Sequence, residues 1–123
     1  MSGFGTLMIF DCMDCNHSIN NRYDLELFID TIVKIMDMKR VGNPTYEWFA
    51  DNDYNRERDL IGYSVTQIIS LSSITIHCCS LSRRMYIDVF TCCKVNDEII
   101  KNIKEMIIEL FKPRIINSNQ INR

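Results

Sequence analysis

The sequence predicts an α+β fold, a two-layer sandwich in which one antiparallel β-sheet carries two helices on one face. Two segments, one toward each end of the chain, repeat apolar residues at helical spacing. Between them lie three consecutive segments rich in Ile, Val, Thr and Tyr, joined by short polar stretches, as is typical of antiparallel strands. Flanking apolar runs complete the predicted order β-α-β-β-β-β-α-β.

The N-terminal third begins with a predicted strand over residues 6–12, which form a nearly continuous apolar run. Polar residues 16–22 follow as a turn, in which Asn20 or Asn21 is a candidate helix N-cap. Apolar side chains over residues 25–36 then recur at helical spacing, which predicts a helix that ends before residues 41–44.

The middle of the chain supplies most of the predicted sheet. Residues 45–50 are expected to form a short strand, and the charged residues 51–59 an exposed loop. Three further strands are predicted over residues 63–70, 74–79 and 85–92, with a hairpin turn over 80–84.

The second helix has clear end signals. Asn96 is a candidate N-cap, and the acidic residues 97–98 suit the positive start of a helix. Lys112 and Pro113 are expected to end it. Residues 114–116 suggest one more short strand, and residues 117–123 a frayed tail.

Composition limits the function classes. At 123 residues the chain is expected to be one domain, residues 1–123. The net charge of −2 gives no reason to expect a nucleic-acid partner, and no apolar stretch is long enough to span a bilayer. The N-terminus lacks a secretory-signal pattern, so we expect a cytoplasmic protein with neither nucleic-acid nor membrane partners.

Six cysteines are many for a chain of this length, but we expect free thiols and no metal site. The adjacent pairs at 78–79 and 92–93 lie in predicted strands, where neighbours point to opposite faces. Cys12 and Cys15 have zinc-like spacing, but no second pair of that kind completes a tetrahedral site. Buried thiols that act as small apolar side chains are the favoured interpretation.

Four residues with reactive side chains lie in adjoining predicted strands: Ser64, Ser72, His77 and Cys92. A hydroxyl, an imidazole and a thiol are groups that a chain needs to cut its own backbone and convert a serine into a reactive carbonyl. Taken singly, His77 is more simply interpreted as a core histidine and Cys92 as a packing residue, and Ser72 alone gives no signal. The evidence for a catalytic role is their spacing along the chain.

That spacing resembles the short, prokaryote-type S-adenosylmethionine decarboxylase proenzymes. In that family a Gly-x-Ser motif is followed after eight residues by the processed serine, after five more by a histidine, and after fifteen by the cysteine of an Asp-Val/Leu-Phe-Thr-Cys motif. Here eight residues separate Ser64 from Ser72, and five separate Ser72 from His77. Fifteen more lead to Cys92, and residues 88–92 match the last motif at all five positions.

The resemblance implies a pyruvoyl-dependent enzyme that cleaves itself between Leu71 and Ser72 and makes its cofactor, a pyruvoyl group, from Ser72. Ser64 and His77 would assist the cleavage. The ketone would form a Schiff base with the amine of S-adenosylmethionine and act as an electron sink. Cys92 would return a proton after carbon dioxide leaves, as thiols are mostly protonated at neutral pH. The product would be the aminopropyl donor for spermidine synthesis.

The resemblance also implies a homodimer, of processed or unprocessed protomers, whose sites draw on both chains. The aromatic residues Trp48 and Phe49 are candidates for that contact, with core packing as the alternative. S-adenosylmethionine, or a related small molecule, is the expected ligand.

Two departures from the family pattern flank the cleavage site. Leu71 stands where the family has Glu, and Ser73 where it has His. The serine pair makes Ser73 an alternative cleavage position, but the spacing to His77 favours Ser72.

Two further departures concern the substrate. Leu81 stands where the family has a Glu that contacts the ribose, and Arg58 where it has an adenine-stacking Phe. Trp48, Phe49 or Tyr54 are candidate replacements for the aromatic ring. These changes leave open a divergent relative with another amino-acid or S-adenosylmethionine-derived substrate, a lyase-type activity, or a non-catalytic binding role.

Overall fold

The computed structural model describes residues 5–123; residues 1–4 of the predicted domain lie outside the described residues. In chain order the elements are β1 (Thr6–Met13), α1 (Arg22–Ile35), β2 (Arg40–Phe49), α2 (Asp53–Glu57), β3 (Gly62–Ile69), β4 (Ser72–Cys79), β5 (Arg84–Thr91), α3 (Asp97–Phe111) and β6 (Ile115–Asn122), with a 3-10 turn over His17–Asn20. The six strands form one sheet in the order β2-β3-β4-β5-β1-β6, and every neighbouring pair is antiparallel.

Both long helices cover the same face of this sheet. Phe28 of α1 meets Phe111 of α3 edge to face, with 5.4 Å between the ring centroids. Beneath them, alternate residues of each central strand are buried, as Met8 and Phe10 are in β1. The predicted α+β sandwich with both helices on one face is therefore confirmed. No helix within residues 5–123 has the length and apolarity to cross a membrane.

The face of the sheet away from the helices, here called the open face, carries the other half of each strand. In β4 the residues Ile74, Ile76 and Cys78 are buried, whereas His77 on the open face is exposed. This is the division of faces that strand periodicity predicts. The interpretation of His77 as a core histidine is thus excluded.

Both predicted helix caps are present. The Asn21 side chain accepts hydrogen bonds from the amides of Tyr23 and Asp24 at the start of α1. Asn96 accepts one from the amide of Ile99 at the start of α3. Helix α1 ends at Ile35, before residues 41–44 as predicted.

The prediction of a frayed tail over residues 117–123 is wrong. Strand β6 pairs with β1 along its whole length, from Ile115 opposite Met13 to Asn122 opposite Thr6. Its polar side chains had argued against a strand. An edge strand is held by backbone hydrogen bonds, however, and tolerates exposed polar side chains.

The region between α1 and β3 is also more regular than expected. Strand β2 begins five residues before the predicted short strand, and its register with β3 shifts between Val41 and Thr45, where Gly42 has φ +71°. The predicted loop over residues 51–59 contains the five-residue helix α2, capped by Asn52. Its side chains are largely exposed, as the charge pattern indicated.

Candidate active site

Ser64 and His77 lie directly opposite each other on β3 and β4, on the open face of the sheet. The Ser64 Oγ and the His77 Nδ1 are 2.8 Å apart and share a hydrogen bond. A hydroxyl held against an imidazole can exchange a proton with it, which is the geometry of a general acid–base pair.

This pair lines a cavity of about 390 Å³ at one end of the open face. Its lining residues are Phe49, Asp59, Leu60, Ser64, His77, Cys78, Cys79 and Tyr86. Two aromatic rings thus border the cavity, and Asp59 is the one carboxylate among these residues. The cavity combines flat apolar surface, an acid and a proton-transfer pair.

Gly62 fixes the start of β3, two residues before Ser64. Its φ is +139°, and a Cβ atom added there would lie 2.2 Å from the backbone oxygen of Cys78. Only glycine permits this close approach of the two strands. The Gly-x-Ser motif therefore has a structural reason, since the glycine sets the register that faces Ser64 toward His77.

Ser72 and Cys92 form a second pair at the opposite end of β4. Ser72 is the first residue of the strand, is buried, and accepts a hydrogen bond from the Cys92 amide at 3.4 Å. Cys92 follows β5 directly, and its side chain is exposed.

The cleavage site predicted from the sequence lies at the end of a tight turn. Ile69 and Ser72 pair across the two-residue connection formed by Ser70 and Leu71. Ser70 has φ +51°, a left-handed conformation that costs a non-glycine residue energy. Leu71 is 79% exposed, so the bond between Leu71 and Ser72 lies at an accessible corner of the sheet.

The two pairs do not meet within one chain. Ser72 and His77 are five residues apart on the same strand, which separates them by roughly 16 Å. Ser72 also faces the helices, whereas His77 lies on the open face. His77 therefore cannot reach the hydroxyl of Ser72 in its own chain.

The predicted substrate contacts occupy different places. Phe49 lines the cavity beside Ser64. Trp48 instead packs on Tyr63, with 4.8 Å between ring centroids, and Tyr54 lies under the guanidinium of Arg58 at 3.6 Å, outside the cavity lining.

Ser73, the alternative cleavage position, is on the open face of β4 opposite Phe90 of β5. It is partly buried there, in a regular strand pairing rather than in the turn. Ser72 is the serine that adjoins both the turn and Cys92.

Sequence reasoning missed Asp59 and Tyr86 as cavity residues. Asp59 closes the charged segment 51–59, which gave no sign of approaching the histidine. Tyr86 is the open-face neighbour of His77 across β4 and β5. Knowledge of the strand register would have identified Tyr86, but nothing local identifies Asp59.

The other cysteines differ in burial, since Cys79 is partly buried and Cys93 is exposed. Cys12, Cys15 and Cys78 are buried, and all six thiols are free. Hydrogen bonding to Cys15 and burial both raise the pKa of Cys12, and burial raises that of Cys78. Among residues 5–123 no three or more His, Cys, Asp or Glu residues are grouped so as to hold a metal ion.

The profile of the S-adenosylmethionine decarboxylase family matches residues 6–123. This chain belongs to that family. Its fold is similar to the crystal structure of the adenosylmethionine decarboxylase from Aquifex aeolicus VF5, with a TM-score of 0.76 over 100% of this chain and 92% of that one, at 17% sequence identity. No curated protein matches the chain. The predicted family is therefore confirmed, and the low identity fits a divergent member.

Membership gives the site its general chemistry. The S-adenosylmethionine decarboxylases are carboxy-lyases that generally depend on a pyruvoyl group, and the family binds S-adenosylmethionine. The four residues that match the family signature are those of the two pairs described above.

Proposed function

We propose that this chain is an autoprocessing, pyruvoyl-dependent S-adenosylmethionine decarboxylase that cleaves itself between Leu71 and Ser72. The observation that carries the proposal is the 2.8 Å contact between Ser64 and His77 in a cavity bordered by Phe49. In this proposal residues 1–123 act as one cytoplasmic domain, and the product supplies the aminopropyl group for spermidine synthesis.

The bonds that break and form during cleavage belong to Ser72 and its preceding peptide bond. The Ser72 Oγ attacks the carbonyl carbon of Leu71, and the amide C–N bond breaks to leave an ester. Loss of the Ser72 α-proton then expels the Leu71 carboxylate, with cleavage of the Cβ–O bond, and leaves dehydroalanine. Water hydrolyses the tautomer of that residue, which releases ammonia and leaves a pyruvoyl group.

The surroundings of Ser72 fit this group. Its hydroxyl has one donor nearby, the Cys92 amide at 3.4 Å, and is not otherwise hydrogen-bonded to a described residue. Exposed Leu71 lets the released carboxylate emerge in water. When formed, the group supplies an electron sink for loss of carbon dioxide.

The neighbouring residues have separate tasks in turnover. The exposed thiol of Cys92 holds the proton that returns to the substrate carbon. Phe49 supplies an apolar surface for the adenine ring in the cavity. His77, with Ser64, moves protons during cleavage.

A homodimer is part of the proposal, because His77 cannot reach Ser72 of its own chain. The open face carries a row of apolar side chains with no helix over them: Leu7, Ile9, Ile68, Tyr86 and Phe90. A second copy packed on this face would cover them. It would also bring its own exposed residues Leu71 and Cys92, at the end of β4 that holds Ser72, toward the cavity, and two-fold symmetry would create two such sites. The proposal requires the turn before Ser72 to open, because the Ser72 hydroxyl faces the helices in the single chain.

Mass spectrometry of the purified protein under denaturing conditions tests cleavage. We expect fragments of about 8 kDa and 6 kDa, corresponding to residues 1–71 and 72–123 of the 14.5 kDa chain, and a carbonyl that borohydride traps. The Ser72→Ala variant is the control, and we expect it to remain uncleaved. Persistent full-length wild-type protein without that carbonyl would contradict the proposal.

Release of labelled carbon dioxide from carboxyl-labelled S-adenosylmethionine tests the substrate. The second candidate function uses another ligand. It is favoured because Leu81 and Arg58 replace the family's substrate-contacting residues. Cleavage without carbon dioxide release would support that candidate, and release of methylthioadenosine would indicate lyase chemistry.

A further inference from the structure

Asp59 lies between α2 and β3 and closes one side of the cavity that contains Ser64 and His77. Its φ is +54°, which turns the chain out of the short helix and into the sheet. The side chain is partly buried. An acid in this position is not explained by the cleavage reaction.

One oxygen of this carboxylate is anchored. Asp59 Oδ2 accepts a hydrogen bond of 2.5 Å from the hydroxyl of Ser82, in the turn between β4 and β5. Within residues 5–123 no donor hydrogen-bonds to Asp59 Oδ1, and no cation forms an ion pair with the group. A fixed carboxylate with spare acceptor capacity at a cavity wall is suited to bind hydroxyl donors.

The rest of the cavity wall suits a flat ring beside those hydroxyls. Phe49 and Tyr86 present aromatic surface, which suits a flat ring. A carboxylate can accept from two adjacent hydroxyls at once, one to each oxygen or both to one. The combination of a flat ring and a vicinal diol is a ribonucleoside.

We infer that Asp59 accepts hydrogen bonds from the adjacent ribose hydroxyls of a nucleoside-containing substrate whose base lies against Phe49. The inference rests on the proposed function and adds a specificity-determining residue to it. Ser82 directly follows Leu81, the position where the resembling family carries its carboxylate. Asp59 thus places an acid in contact with the residue that follows this position, although it comes from another part of the chain.

The alternative is that Asp59 is only a structural tie between the α2–β3 connection and the β4–β5 turn. A test must therefore separate ribose recognition from folding. Substitution of Asp59 by Asn keeps the shape and removes the charge. Asp51→Asn is the matched control, because Asp51 lies in the same charged segment, pairs with Arg56 and does not line the cavity.

The probes are 5′-methylthioadenosine and its 2′-deoxy analogue, measured by calorimetry with the purified full chain. Neither probe carries a carboxylate to lose, so binding is independent of turnover. We expect the wild type and Asp51→Asn to bind the ribose probe about ten- to a hundredfold more tightly than the deoxy probe. Asp59→Asn is expected to lose that preference and to keep its affinity for the deoxy probe.

A second substitution provides rescue. Adding Leu81→Glu to Asp59→Asn restores a carboxylate next to Ser82, the hydrogen-bond partner of Asp59, and is expected to recover part of the ribose preference. In the wild type, equal affinity for both probes or no binding of either would overturn the inference. If Asp59→Asn weakens the binding of both probes equally, the role of Asp59 is only structural, and this result would also overturn the inference.

The outcomes for the two proposals are distinguishable. Failure of cleavage or of carbon dioxide release refutes the proposed function but leaves the ribose preference measurable. Where decarboxylation occurs, Asp59→Asn should raise KM for S-adenosylmethionine with little change in kcat. A fall in kcat alone would contradict a role in substrate binding.

Discussion

The two reactive pairs differ in how the sheet holds them. Ser64 and His77 contact each other through their side chains, in the middle of regular strand pairing and inside a cavity. Ser72 and Cys92 meet through a backbone amide, at a strand end beside a turn with a left-handed residue. The first pair is held by regular strand pairing at the distance that proton transfer requires, and the second adjoins an accessible peptide bond. In the proposed enzyme, one chain would therefore carry both halves of a site that it does not assemble alone.

The largest expected effect comes from removing the attacking hydroxyl. Ser72→Ala should abolish cleavage completely, because alanine has no nucleophile to attack the carbonyl of Leu71. Ser73→Ala, one residue away on the open face, is the matched control and should still cleave. Mass spectrometry distinguishes them, and a fragment that begins at residue 73 in the Ser72→Ala protein would transfer the role to Ser73.

The separation of the two pairs is tested by mixing chains. Ser72→Ala and His77→Ala proteins should each remain uncleaved or cleave slowly alone. Co-expressed with different tags, they should form hybrid dimers in which only the His77→Ala chain is cleaved, because it receives the imidazole of its partner. If the wild type is cleaved but the co-expressed mixture is not, the proposal of a site shared between two chains is wrong.

Cys92 is expected to affect turnover and not cleavage. Cys92→Ala should still produce both fragments but should decarboxylate about 10²–10⁴-fold more slowly, the range for loss of a positioned proton donor. Cys93→Ala is the control, since its sulfur lies 4.0 Å from that of Cys92. Undiminished turnover by the Cys92→Ala protein would remove Cys92 from the reaction.

The smallest effect concerns a cluster that belongs to neither pair. Glu26 hydrogen-bonds to Tyr46 and Arg40 between α1 and β2. Burial alone would raise the pKa of Glu26, but the hydrogen bonds from Tyr46 and Arg40 outweigh it and leave that pKa below its usual value. A lowered acid pKa stabilises the fold above the pKa of the unfolded chain, and the contribution disappears as the pH falls through the folded value.

Glu26→Gln should therefore lower the free energy of unfolding at pH 7, by less than about 1 kcal/mol because the side chain is 39% exposed. The difference from wild type should shrink below about pH 4. Urea unfolding at the two pH values measures it, and cleavage should be unchanged. A difference that grows in acid would contradict the assigned cause.

The sequence predicted the fold where local signals agree with tertiary structure. Asn21 and Asn96 cap the helices, and the alternation along β4 places His77 on the open face as its period requires. Strand β6 was missed because its polar residues give no apolar pattern. Its stability comes from pairing with β1, which lies about a hundred residues earlier in the chain.

The candidate site was predicted from motif spacing, which gave Ser64, Ser72, His77 and Cys92 but not how they are arranged. The roles of these four residues stay predictions. Ser72 and His77 are five positions apart on one strand, and an odd number of positions already indicates opposite faces of the sheet. This separation was used only for the match to the family motif. Asp59 had no signal at all, because its approach to Ser82 depends on how two distant turns pack.

The distance between the hydroxyl of Ser72 and the imidazole of its own chain has a kinetic consequence. With the shared site proposed above, an isolated chain is an inert precursor, and maturation requires an encounter between two molecules. Its rate should rise with the square of protein concentration until dimers saturate. Dilution immediately after synthesis should then preserve the precursor.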